Sequence, residues 1–327
     1  MSARHSDPEA LRMLRIRPLF TLCFALLLYW LATPLAAYNL IASSPYHELY
    51  SNRPPRSSDR ELSKVLAEKF GDLQMQFGVY PEGRVPIYIV YGEAEYHKLS
   101  LGKAQIVEFS DAFYSGSERA IYARSKDQVL DNYLKILQHE YLHWYIEELF
   151  TYAPLWFHEG MATYFSGQIG YERFLVYLKE SLVNPRSDLF RLGHKYPDNR
   201  EDWSRFYLSS AMAVRYMQDR HPQQWQSFWE AVAQSYRQGR RIRFSEAFVN
   251  SYQISLWDFH TKFGIHSKRQ GYTYLLIAFN SLIFALMPFL MIAIVRKRRK
   301  KLLGMPDLPL PEEEEEPPEA DAEADRT

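Results

Sequence analysis

The chain has 327 residues, 39 of them basic and 39 acidic, so its formal net charge is zero and no global field marks it as a nucleic-acid binder. Aromatic residues make up 16%, with 24 tyrosines and 7 tryptophans, which is enough to fill a large packed core. The single cysteine, Cys23, excludes an intramolecular disulfide and leaves the redox compartment open.

Residues 1–17 form a basic amino terminus, with Arg12, Arg15 and Arg17 just ahead of an uncharged, mostly apolar run from Pro18 to Ala37. The run reads either as a signal peptide, with Ala36 and Ala37 available to a signal peptidase, or as an uncleaved signal anchor long enough to span a bilayer. Residues 38–60 read as a linker, because Pro45, Pro54, Pro55 and several serines break any period.

A domain is expected over 61–271. Glu61–Phe70 places Leu62, Val65, Leu66 and Phe70 at helical spacing and stops at Gly71. Val85–Tyr91 is β-branched and aromatic, a strand, and Glu93–Leu99 a short helix. Ile106–Tyr114 and Arg119–Ala123 read as two further strands around the turn Ser115-Gly116-Ser117. Ser125 and Gln128 make a capping box for a helix running to about Phe150 and stopped by Pro154. Apolar periodicity then predicts helices near 155–168, 171–183, 202–219, 222–237 and 244–263. A small sheet followed by many helices gives an α+β domain. The tryptophans at 203, 225, 229 and 257 read as core; His47, His97, His194, His221, His260 and His266 have no ligand spacing.

Tyr272–Val295 is a second uncharged run, followed at once by the basic cluster Arg296–Lys301. This predicts a transmembrane helix with its carboxyl end in the cytoplasm. Both basic flanks lie on the outer sides of the two runs, so the intervening domain is expected on the non-cytoplasmic side, periplasmic or extracellular. The cluster opens the cytoplasmic segment 296–327, whose tail from Pro306 is rich in Pro, Glu and Asp and is expected to be disordered.

The chemistry is concentrated in His139-Glu140-Tyr141-Leu142-His143. Two histidines four apart on a helix share one face, which brings two imidazole nitrogens within reach of one metal ion. Glu140 points about 100° away from His139, toward where a metal-activated water would sit. The set suits Zn2+ with an open position, while a helix with a solvent-facing histidine pair is the plain alternative. Glu159, separated from His143 by fifteen residues and early in a helix opened by Pro154, can supply a third ligand. Its neighbour His158 points about 100° away and reads as a pocket-rim or core residue.

An H-E-x-x-H helix followed by Trp156, Glu159, Gly160 and Ala162 in the pattern W-x-x-E-G-x-A resembles the gluzincin zinc metallopeptidases, the thermolysin and aminopeptidase N clan. The small peptidase-MA-like proteins are nearest. The resemblance implies a zincin-like domain with a small amino-terminal mixed sheet and a mostly helical second half. It implies zinc on His139, His143 and Glu159, Glu140 as general base, and a peptidase acting on a peptide or protein substrate; the two flanking apolar runs make that peptidase membrane-anchored, with membrane-associated substrates among those expected. It also implies an oxyanion donor, for which Tyr207 is the candidate beside the reading of a packed tyrosine. Thr163 is a candidate hydrogen-bond partner for a ligand histidine. Asp111–Tyr114 resembles the edge strand that pairs with substrate backbone, the alternative being an ordinary sheet strand. The absence of G-x-M-E-N argues for an endopeptidase. A different class is a catalytically silent zincin-like scaffold that binds a membrane-protein partner.

Overall fold

A computed structural model describes residues 38–101, 110–125, 131–183, 196–197 and 200–303. The apolar run 18–37, the capping residue Gln128, the first part of the strand expected at 106–114 and the acidic tail lie outside the described residues. The chain divides into two compact units between Gly271 and Tyr272.

The first unit opens with a five-stranded mixed sheet. Its strands are β1 (Asn39–Ser43), β2 (His47–Ser51), β3 (Val85–Val90), β4 (Ala112–Ser115) and β5 (Ala120–Arg124), in the order β1-β2-β3-β5-β4. The central pairs β2–β3 and β3–β5 are parallel, and the outer pairs are antiparallel. Alternation sorts the two faces. Leu49, Ile87 and Ile121 are buried on one, while Tyr50, Tyr88 and Tyr122 stack on the other with neighbouring centroids 5.1 Å apart.

The first two strands occupy the stretch that sequence composition assigns to a linker. The buried positions of β2 are His47, Leu49 and Ser51, two of them polar, so no apolar alternation signals the strand. His47 is accommodated by hydrogen bonds: its Nδ1 lies 2.9 Å from Ser44 Oγ and its Nε2 2.9 Å from Ser63 Oγ.

Helix α1 (Ser57–Phe77) starts earlier and ends later than its apolar period implies. Gly71 does not stop it. A Cβ there would stand 2.8 Å from the Tyr46 hydroxyl, so this glycine serves a close approach inside the helix. The stop is Gly78, with φ 68 in the left-handed region. Helix α2 (Glu93–Ser100) follows β3.

Helix α3 (Asp131–Leu149) carries the H-E-x-x-H residues and runs into the short strand β6 (Phe150–Tyr152). It is anchored through its tyrosines. Tyr141 stacks on Phe70 of α1 with centroids 3.7 Å apart, and Gln74 Nε2 donates to its hydroxyl at 2.8 Å. Tyr145 donates to the Val79 carbonyl at 2.8 Å. Fixing Tyr141 and Tyr145 against α1 turns the His139–His143 face away from it, because these positions lie on different sides of a 3.6-residue helix.

Helices α4 (Leu155–Phe165), α5 (Tyr171–Val183), α6 (Arg200–Arg220) and α7 (Pro222–Arg237) complete the helical half with α8 (Phe244–Tyr252). Strand β7 (Ile242–Arg243) pairs in parallel with β6. One helix is expected over 244–263, but the chain breaks at Gln253, whose φ of 53 is left-handed. Ser255 Oγ then accepts the Asp258 backbone N–H at 3.0 Å and starts α9 (Leu256–Leu303). Trp225 and Trp229 are buried in the core. Trp203 is half-buried, its indole N–H donating to the Pro197 carbonyl at 2.8 Å, and Trp257 is 66% exposed, so neither is the core residue expected.

The second unit, from Tyr272, is described only as the remainder of α9. Its side chains are exposed along the helix, and an 18-residue window has a mean hydropathy of 2.4. By length and composition this helix is able to cross a membrane.

Candidate metal centre

Three side chains from two helices converge on one point. Helix α3 presents His139 and His143 with ring centroids 4.9 Å apart. Helix α4 presents Glu159, whose Oε2 lies 3.4 Å from His139 Nε2 and 3.7 Å from His143 Nε2. One ligand atom from each residue falls within 4.8 Å of the others.

The placement of Glu159 follows from its neighbour. A Cβ on Gly160 would stand 2.5 Å from the Ser210 carbonyl oxygen and 2.7 Å from Val214 Cγ2. Only glycine allows α4 and α6 to approach this closely. Trp156, buried one turn earlier, stacks near Phe259 at 5.9 Å and pins the other side of α4. The W-x-x-E-G pattern is thus a packing device as well as a chemical one.

The site is electrostatically tense. Glu159 is 2% exposed, and burial alone pushes its carboxyl up. His143, His139 and the Tyr196 hydroxyl outweigh that and hold it down at about 2. His143 is lowered to about 3 by burial, so it is a neutral imidazole near neutrality, the form that binds metals. Burial also lowers His139, but the Glu159 carboxylate, 3.4 Å from its Nε2, and the charge of Glu140 leave it raised.

Glu159 Oε2 is buried and has no hydrogen-bond partner. A buried anionic oxygen without a donor is costly. A cation shared with the two imidazole nitrogens would satisfy it, and two nitrogens with one carboxylate is a zinc donor set. The residues present therefore fit the ion that the sequence suggests.

Glu140 sits on the sheet side of the helix. Its Oε2 accepts the backbone N–H of Tyr114 on β4 at 2.8 Å. Burial pushes its carboxyl up to about 7, His139 and the Tyr114 donor pull it down, and Glu159 raises it. Its proton affinity therefore lies near neutrality, as a general base requires.

Other expected residues fall as follows. Strand β4 is the sheet edge next to α3, and Ala112, Phe113 and Tyr114 line an open cleft of about 860 Å³ shared with His139, His143 and Glu159. Tyr207 of α6 lines the same cleft with its ring centroid 6.5 Å from that of His139. Burial, then Glu159 and Glu140, raise its hydroxyl far above the usual tyrosine range, so it stays protonated. His158 lines the cleft too, 5.9 Å from His143, and burial lowers it to about 4. Thr163 Oγ1 is buried without a partner, so the expected bond to a ligand histidine is not made.

Sequence reasoning missed two residues. Tyr196 donates its hydroxyl to Glu159 Oε1, leaving Oε2 to face the histidines. Nothing local distinguishes Tyr196 among 24 tyrosines. Glu147 lines the cleft one turn beyond His143, and the i, i+4 spacing from His143 is its only sequence signal.

No protein-family model and no curated protein matches the chain. Among solved structures, an aminopeptidase N family protein from Idiomarina loihiensis is similar at 14% identity and a TM-score of 0.33. The similarity covers 71% of this chain and 42% of that one, so the chain spans less than half of that protein's length.

Proposed function

We propose that the chain is a membrane-anchored, zinc-dependent metallopeptidase of the gluzincin type, acting as an endopeptidase. The observation that carries this is the unpartnered, buried Glu159 Oε2 set between His139 Nε2 and His143 Nε2, with the Glu140 carboxylate nearby. His139, His143 and Glu159 would hold the zinc, which would supply Lewis-acid polarisation to a water and to a peptide carbonyl.

The chain's own residues do the rest. Glu140, oriented by the Tyr114 N–H, takes a proton from the attacking water and passes it to the leaving amine. Tyr207, kept protonated by its surroundings, donates to the oxygen on which negative charge develops. The edge of β4 offers backbone groups to an extended peptide by strand addition. Nothing in the motif set is built to capture a free amino terminus in the G-x-M-E-N manner, which supports internal cleavage.

The basic flanks of the two apolar runs support placing the intervening domain, from β1 to Gly271, on the non-cytoplasmic side, with residues 296–327 in the cytoplasm. Tethering raises the effective concentration of substrates in the same membrane, so membrane-associated proteins are the natural substrates.

The test compares the full-length protein in detergent with Glu140→Gln. The parent should contain one zinc per chain and cleave peptides from a random library; the variant should keep the zinc and lose cleavage. Equal cleavage by both would rule out this mechanism. Zinc without cleavage by the parent would favour the catalytically silent scaffold.

A further inference from the structure

The cleft holds one carboxylate that neither the metal centre nor the chemistry above uses. Glu147 follows His139 and His143 on the same face of α3, about 6 Å beyond His143 along the axis. Its Oε2 accepts the Tyr114 hydroxyl at 2.7 Å, so the side chain is held in place from the edge strand. Its Oε1 lies against Gly116, where a Cβ would come within 3.0 Å. The glycine leaves that oxygen open to the cleft.

The charge on this carboxylate is not spent inside the protein. Among the described residues no basic side chain forms an ion pair with it. Arg119 pairs with the adjacent Glu148, and Arg241 donates to the main-chain carbonyl of Glu147 at 3.1 Å without forming an ion pair with its carboxylate. Arg173, the cation that lines the cleft, donates to the Gln168 carbonyl. A fixed carboxylate at the wall of a substrate cleft, with an open oxygen and no counter-ion, is a recognition site for a cation.

We infer that Glu147, oriented by the Tyr114 hydroxyl, forms a subsite for a cationic group of the peptide substrate, an ammonium or guanidinium. This rests on the peptidase reading and names the substrate class of that same site. The partner on the substrate is a lysine or arginine side chain, the cation that an internally cleaved peptide presents to the cleft. Strand β4 contributes to both ends of the arrangement: Tyr114 orients Glu140 through its backbone and Glu147 through its side chain.

The experiment uses the full-length, zinc-loaded protein in detergent and a peptide scan. One parent peptide carries lysine, arginine, norleucine or glutamate at each position in turn, with the amino terminus free or acetylated. Cleavage is read as kcat/KM, and binding is read separately by fluorescence anisotropy on a Glu140→Gln background. Glu147→Gln keeps an acceptor for Tyr114 and removes only the charge; Glu147→Lys reverses it. The expected result is a ~10–100-fold preference for a cation at one position, lost in Glu147→Gln and inverted toward glutamate in Glu147→Lys, with norleucine peptides unchanged within about twofold. Persistence of the preference on acetylation supports the inference, and its loss assigns recognition to the terminal amine and overturns the side-chain subsite. A Glu147→Gln effect equal for lysine and norleucine peptides, or cleavage and binding with no cation preference, overturns it and leaves the peptidase reading standing. Cation-selective binding with no cleavage by the parent sinks the peptidase reading and leaves the subsite. Absence of both cleavage and binding for every peptide overturns both.

Discussion

The backbone N–H of Tyr114 donates to Glu140 Oε2 across 2.8 Å, so the sheet edge and the carboxylate proposed as base are tied by a bond whose donor is main chain. Burial holds Glu140 near 7, and a donor to the charged form lowers it. A protonated glutamate cannot act as base, so kcat/KM should fall as pH drops through this pKa, and a cation bound at the neighbouring site would set the limb lower than in its absence. Tyr114→Pro removes the donor at a strand edge that tolerates proline, and should move the acidic limb to higher pH. Tyr114→Ala keeps the N–H and should leave the limb where it is. Coincident limbs in the two variants would refute the role given to this bond.

Tyr196 should matter for metal retention before it matters for rate. Its hydroxyl occupies Glu159 Oε1 and leaves Oε2 for the ion. Tyr196→Phe should weaken zinc affinity by ~10–100-fold in a chelator competition, with the circular dichroism spectrum unchanged. Unaltered zinc affinity would reduce Tyr196 to a packing residue.

Tyr207→Phe should leave zinc content and KM near the parent values and lower kcat by ~10²–10³. A change in KM alone would mean that the phenol contacts bound substrate and not the developing charge.

Gly160→Ala should destabilise the protein by about 3 kcal/mol or more. The new methyl group meets a backbone carbonyl at 2.5 Å, which cannot swing aside as a long side chain would. The measurement is the shift of the thermal midpoint in the zinc-free protein. A shift within error would show that α4 and α6 separate easily.

Stability should fall on mild acidification. His47 is 0% exposed and its pKa is lowered to about 4 by burial, against 6.5 when unfolded. Between those values the unfolded chain binds a proton that the folded chain refuses. The stabilisation is therefore complete above about 6.5 and is lost as pH falls toward 4, by about 3 kcal/mol from this residue. His158, lowered to about 4, and His143, lowered to about 3, add to the same slope, while Glu140, raised to about 7, and His139, also raised, take up protons more readily in the folded chain and oppose it. Urea unfolding at pH 7 and pH 5 should show the difference, and His47→Gln should shrink it. An undiminished slope in that variant would assign the effect to other groups.

The gathering of His139, His143 and Glu159 is legible in the sequence because helical periodicity is local and only fifteen residues lie between His143 and Glu159, which leaves few arrangements. What escapes depends on distant contacts. Tyr196 meets Glu159 across 37 residues of sequence. Strand β2 buries a histidine and a serine, and the histidine's partners, Ser44 and Ser63, lie outside it, so its pattern is polar where a strand should look apolar. Gly71 reads as a helix stop, and only the Tyr46 ring packed against it explains why it is not one. The break at Gln253 has no glycine or proline to announce it.

The close approach of α4 and α6 at Gly160 also gives a way to sort chains by sequence. Every single-base change that replaces a glycine adds at least a Cβ, and here the Cβ falls within 2.5 Å of a main-chain oxygen on the helix bearing Tyr207. A homologous chain that kept both histidines and the glutamate but carried a larger residue after that glutamate would hold its ligands while losing the register of the opposing helix. The residue following the third ligand, and not the ligands themselves, is then where decay of the site would first be written.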